Sequence, residues 1–210
     1  MNLPLTIFEF IVLIFSAVLH EVAHGYVAQR LGDDTAERAG RLTLNPLKHL
    51  DPIGSVLMPV FLYLASGGSF FFAAAKPVPY NPNNLKDPRT GGALIAVAGP
   101  LTNFALALVF GLIVRVLTYT TVSPLFITLL ALVCYVNILL GVFNLVPIPP
   151  LDGSRVLFAA LPQTPATARA AYALERYGFF IVLIFVFFGF QLLVPIMTGI
   201  FSLLTGQSLG

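Results

Sequence analysis

The chain alternates long, unbroken apolar runs with short polar stretches, and almost nowhere shows the narrow apolar stripe of a soluble surface helix. Runs of about 20 apolar residues cross about 30 Å of hydrocarbon as helices, which satisfy their backbone polar groups internally. The first predicted span runs from about Pro4, a favourable first-turn residue, to Leu31, with Gly32 as its stop signal. Three more are expected at about Gly92 to Leu117, Leu125 to Leu145 and Tyr177 to Leu204. A further apolar stretch, Ile53 to Ala75, is interrupted by Pro59 and by "SGGS" at Ser66 to Ser69; it reads as one broken crossing or as a re-entrant hairpin.

The polar stretches carry weaker signals. "GRLTLNP", Gly40 to Pro46, alternates like a short strand, and "KPVPYNPNNLKDPRTG", Lys76 to Gly91, holds four prolines that forbid a regular helix and favour a loop or edge strand. Between the last two spans, Asp152 and Gly153 open a short helix. The expected architecture is an all-α polytopic membrane protein: four transmembrane helices plus a re-entrant or fifth segment, with short extended membrane-associated strands, in one domain over residues 1–210.

Composition sharpens this picture. Of 210 residues, 58% are hydrophobic and only 10% charged, where soluble domains carry about 25% charged residues. The spans consume most of the chain and leave no sizeable soluble domain. The single Cys134 permits no intramolecular disulfide and no Cys-rich zinc ribbon. A net charge of +2, from basic residues scattered through loops, gives no support for nucleic acid binding. The N-terminal run lacks a basic n-region and a small-x-small cleavage site, so it reads as a retained span rather than a signal peptide.

Basic residues also orient the chain, because Lys and Arg near span ends favour the cytoplasmic side. With the N-terminus outside and Ile53 to Ala75 re-entrant, Arg30, Arg38, Arg41, Lys48, Lys76, Lys86, Arg89, Arg155, Arg169 and Arg176 fall inside, and only Arg115 outside. A full crossing by Ile53 to Ala75 would collapse that asymmetry, so re-entry is the favoured reading.

Against this apolar background, "HEVAH" at His20 to His24 stands out. Polar and ionisable groups in hydrocarbon cost several kcal/mol unless paired, so they mark a working site by default. His20 and His24, four apart, lie on one helix face where both imidazoles can bind one metal ion, and Glu21 can reach a water on that metal. A catalytic zinc site needs three protein ligands and an open position. The third ligand is then His49, Cys134 or one of nine carboxylates. Asp152 is the best candidate: prolines break the preceding span and Gly153 lets the backbone bend, so its carboxylate can turn in beside the first helix. With the first and third clear spans running the same way, the two motifs meet toward the cytoplasmic half.

His20, Glu21 and His24 in an early span, with "NLVPIPPLDG" at Asn144 to Gly153 closing a later one, resemble the site-2 protease family of intramembrane zinc metalloproteases, peptidase family M50. "AGPLTNF" at Ala98 to Phe104, "HLDPIG" and "AAAKPVPYNP" are similar to its compact bacterial and archaeal branch, and the likeness covers roughly Val18 to Arg155. The resemblance implies one Zn2+ held by His20, His24 and Asp152, with Glu21 as general base. It implies Asn144 beside the substrate, with Asn103 in a like role. It also implies an extended segment, "GRLTLNP" or "KPVPYNP", that offers an edge to an unwound substrate. The implied partners are transmembrane protein substrates and the lipid bilayer, and the implied location is a multi-pass place in the plasma membrane of a bacterium or archaeon. These residues leave no room for the PDZ or CBS domain of larger members.

Each signal has a plainer reading. Asp152 can cap a helix, Asn103 and Asn144 can be interhelical hydrogen-bond partners, and His49 can be a loop residue. Gly99 and Pro100 read as sites of close helix approach or a kink, and "SFFFAAA" as lipid-facing surface or packing. The competing functions are a non-catalytic scaffold that binds transmembrane helices and a metal transporter. The last span, free of charge from Tyr177 to Leu204, argues against the transporter.

Overall fold

The computed structural model describes residues 3–50, Leu57, Val60, Leu64 and residues 76–208. The broken apolar stretch Ile53 to Ala75 and the "SFFFAAA" cluster therefore lie outside the described residues, apart from those three isolated positions.

The described residues are helical, with four helices long and apolar enough to cross a membrane. Helix α1 spans Leu3–Arg30 and is followed by the single turn α2, Thr35–Arg38. Helix α3, Pro88–Leu117, starts four residues before its predicted first residue. Asp87 accepts hydrogen bonds from the Arg89 and Thr90 N–H groups, and Pro88 presets the first turn. Helix α4 covers Pro124–Asn144 and the short α5 covers Asp152–Ala160.

The last span differs from expectation. Helix α6, Pro165–Ile184, begins twelve residues early because Thr164 and Thr167 form a reciprocal cap over Pro165. It continues through a widened turn, Phe185–Gly189, and a tight one, Phe190–Leu192, before Pro195 in the first turn of α7, Val194–Thr205, starts a new helix. The candidate crossing therefore lies within Pro165–Leu192, and the remainder of the predicted run forms a separate apolar helix.

Helix α3 is the hub and packs against α1, α4, α5 and α7. Ala107, Cys134, Ile138, Met197 and Phe201 fill the core between α3, α4 and α7. At the opposite end Ala28, Leu85 and Ile95 form a smaller cluster that ties the loop before α3 to α1. Asp33 reinforces that tie from just beyond α1. Its carboxylate accepts hydrogen bonds from the Thr35 N–H and hydroxyl, the Asn81 N–H and the Asn84 side-chain amide.

The expected strands are absent among the described residues. The stretch after Gly40 instead bends so that Asn45 caps a 3-10 turn, Pro46–Lys48, and Lys76 to Tyr80 runs as irregular chain without a ladder. Pro77 and Pro79 remove alternate N–H donors, so a paired strand cannot propagate there. The two segments still meet: the Arg41 guanidinium donates to the Lys76 carbonyl at 2.6 Å, and the Lys76 N–H donates to the His49 carbonyl at 2.9 Å.

Candidate metal centre

His20 and His24 face α3 from the last three turns of α1, and both are buried. Opposite them, Ile95, Gly99 and Asn103 recur every four residues on one stripe of α3. The helices run antiparallel, so the stripes match in reverse order. The His24 Nδ1 donates to the Ile95 carbonyl at 2.6 Å, and the His20 Nδ1 donates to the Asn103 Oδ1 at 2.6 Å. Gly99 lies between: a Cβ built there would stand 2.5 Å from the Nε2 of each histidine.

The two Nε2 atoms converge on one oxygen. The Asp152 Oδ2 lies 3.1 Å from the His20 Nε2 and 3.3 Å from the His24 Nε2. Asp152 reaches them because the chain turns after α4 through the prolines of "NLVPIPPLDG" and restarts as α5. Asp152 is the first residue of α5, just after the cap position held by Leu151, and its carboxylate faces the histidines. Gly153 makes the turn possible, since a Cβ there would collide with the Leu145 and Val146 backbone carbonyls. Arg89 closes the far end of α5, donating to the Ala159 and Leu161 carbonyls and so fastening it to the start of α3.

This donor set fits zinc. Two imidazole nitrogens and a carboxylate oxygen make one of the three-ligand sets that leave a fourth position open. His20, His24 and Asp152 are the group of candidate ligands brought together among the described residues, with donor atoms within 4.8 Å of one another. The outer nitrogens are engaged by a carbonyl and an amide oxygen, the partners that orient metal-binding histidines. With the Nε2 of both rings turned to a carboxylate, the cluster gathers electron pairs that a cation would satisfy.

Glu21 sits beside this cluster with its Oε2 accepting a 2.8 Å hydrogen bond from the Val78 N–H. The Val78 side chain is buried over Gly25, and Arg41 holds the two residues before it through their carbonyls. The proline-rich segment thus lies across α1 and contacts the carboxylate through its backbone, a contact no residue pattern announces.

The other candidates fall elsewhere. His49, 1% exposed, donates from Nε2 to the Thr43 carbonyl and pins the loop. Cys134 is buried in the core with its thiol on the Ala107 carbonyl. Asn144 is half-buried at the end of α4 and donates to its own helix at the Leu140 carbonyl. Asn103, expected beside a substrate, has no exposed surface; its oxygen meets His20 and its nitrogen donates to the Asn137 Oδ1 at 3.0 Å. Sequence reasoning missed Asn137. The available signal was a lone amide within the apolar run "LVCYVNILL".

A family model described as "Peptidase family M50" matches residues 113–185. The chain is 39% identical over 189 residues to "Putative zinc metalloprotease YwhC" of Bacillus subtilis, covering 86% of this chain and 81% of that protein. It is 34% identical over 171 residues to "Putative zinc metalloprotease Rip2" of Mycolicibacterium smegmatis, covering 81% of this chain and 63% of the relative. With "Zinc metalloprotease MJ0392" of Methanocaldococcus jannaschii it shares 31% identity over 182 residues, 86% of this chain but 42% of that one. No solved structure matches the chain.

Proposed function

The chain belongs to peptidase family M50, and from that premise we propose that it is an intramembrane zinc endopeptidase. Its substrates are membrane proteins, cleaved in or near their transmembrane segments, and residues 1–210 act as one transmembrane metalloprotease domain. The observation that supports this best is the convergence of the His20 and His24 Nε2 atoms on Asp152, with Glu21 on the same helix.

In this reading His20, His24 and Asp152 hold the zinc and Glu21 is the general base. Zinc, when bound, supplies a Lewis acid that polarises a carbonyl and lowers the pKa of water. Glu21 accepts the proton of the attacking water and passes it to the leaving amine. The Val78 N–H fixes one Glu21 oxygen, so the other is the one that carries the proton. Asn144 holds the substrate peptide where the chain leaves α4. Asn103, engaged by His20 and Asn137, acts on the ligand rather than on substrate. The bias of basic residues supports a position for this centre toward the cytoplasmic half of a bacterial or archaeal plasma membrane.

Glu21→Gln tests the reading. Purified variant and wild type are compared for zinc content and for cleavage of a single-span membrane reporter on co-expression. A protease loses cleavage and keeps its zinc. Unchanged reporter processing in the variant would mean that the chain acts as a binding scaffold instead.

A further inference from the structure

Asn103 and Asn137 belong to a buried polar chain that ends on His20. Asn137 has no exposed surface, and its Nδ2 donates to the Val133 carbonyl at 2.9 Å and to the Ser16 hydroxyl at 3.0 Å. Ser16 is itself buried, on α1 one turn before His20. The relay therefore joins α1, α3 and α4 at one level.

The polarity of the relay is forced. A backbone carbonyl only accepts hydrogen bonds, so the Asn137 atom facing the Val133 carbonyl is the amide nitrogen. The Asn137 oxygen must then face Asn103, which fixes the Asn103 nitrogen on that side at 3.0 Å. The Ser16 carbonyl, 3.5 Å from the same nitrogen, demands the same orientation independently. The Asn103 oxygen is left for His20, and it too only accepts. His20 must carry its proton on Nδ1, and its Nε2 then presents a lone pair to the cluster. His24 reaches the same state through one bond to the Ile95 carbonyl. His20 has no such carbonyl and borrows that of Val133 through two asparagines.

We infer that Asn137 is a positioning residue of the metal centre, setting the tautomer of His20 through Asn103 so that its Nε2 is ready to ligate a cation. The inference rests on the metal-binding reading above. Leucine, nearly the same shape as asparagine, would keep the packing and remove the polarity.

The chain has three histidines, which makes the tautomers readable by ring 15N NMR of metal-free protein. The wild type should show two Nδ1-protonated rings, His20 and His24, and one Nε2-protonated ring, His49, whose Nε2 donates to the Thr43 carbonyl. A wild-type His20 that carries its proton on Nε2 and leaves Nδ1 bare overturns the inference without any variant, whereas a second proton on Nε2, facing Asp152, leaves it standing. In Asn137→Leu the His20 signal alone should become a mixture. Zinc affinity by chelator competition should fall about 10- to 100-fold, the usual effect of removing a partner behind a ligand. Asn103→Ala should fall similarly, and the double variant no further, because the two residues act in series. Cys134→Ala, on the same helix but outside the relay, should retain wild-type affinity. Wild-type affinity in Asn137→Leu, or losses that multiply in the double variant, would refute the relay. A wild type that binds no zinc refutes the metal reading instead, and the tautomer pattern still reports on the relay.

Discussion

Gly99→Ala puts one methyl group where the geometry leaves no space. The added Cβ would stand 2.5 Å from the Nε2 of His20 and of His24, about 0.9 Å inside the 3.4 Å at which ordinary contact begins. The rings cannot retreat freely, because each Nδ1 is held at 2.6 Å by an acceptor on the same helix as Gly99. Zinc–nitrogen bonds tolerate about 0.2 Å of error around 2.0–2.1 Å, so a displacement several times larger removes at least one ligand. Losing a partner behind a ligand costs 10- to 100-fold in affinity, about 1.4 to 2.8 kcal/mol, and displacing the ligand itself should cost no less. The assay is zinc affinity of detergent-purified protein by chelator competition, with thermal unfolding of the metal-free form alongside. Gly199→Ala is the control, since nothing lies within 4 Å of a Cβ there; it should bind zinc normally. Gly99→Ala with wild-type affinity would refute the claim that the α3 stripe shapes the site.

Gly153→Ala should lose zinc and also unfold more easily, by about 1 to 3 kcal/mol as overpacked sites do. The added atom meets the Leu145 and Val146 backbone, which yields less than a side chain; a wild-type zinc content and melting temperature would contradict this. Asp33 gives an acid dependence. Burial alone would raise its pKa, but the hydrogen bonds from Thr35, Asn81 and Asn84 override it and hold the carboxyl below its ordinary value of 3.8. Its stabilisation is therefore full above that value and lost as pH falls through the lower folded-state pKa. Asp33→Asn should flatten the acid limb of thermal stability measured from pH 5 downward, and an unchanged limb would assign acid sensitivity elsewhere.

The candidate metal cluster was legible because its chemistry is residue-specific. His20 and His24 are separated by one helical turn, and Asp152 follows prolines that end a span, so the donors could be named before their contacts were seen. Span existence was legible for a similar reason, since hydrocarbon thickness sets a length that apolar runs either reach or do not. What escaped was structure carried by the backbone or by pairing. The alternation of "GRLTLNP" needed a partner strand, and Pro77 and Pro79 denied it one. The contact from Val78 to Glu21 uses an N–H that nearly every residue has. The last span shifted because Thr164 caps and Pro195 interrupts, and both are short-range effects that a hydropathy window averages away. Asn137 was visible as a polar residue in an apolar run, but its partners lie on α1 and α3, and only the packing reveals that they share a level.

The distance along the chain between the donors bears on when the centre comes into being. Asp152 follows His20 by 132 positions, which ribosomes cover in roughly 7 to 26 s at about 5 to 20 residues per second. Through that interval a nascent chain holds two of the three proposed donors, with α3 and α4 still arriving. On the proposed ligand set, peptide-bond cleavage is silent until Asp152 has been added, so neither the emerging chain nor its neighbours at the translocon are exposed to it before then. On that reading, the arrival of α5, which carries Asp152, is the event that arms the molecule.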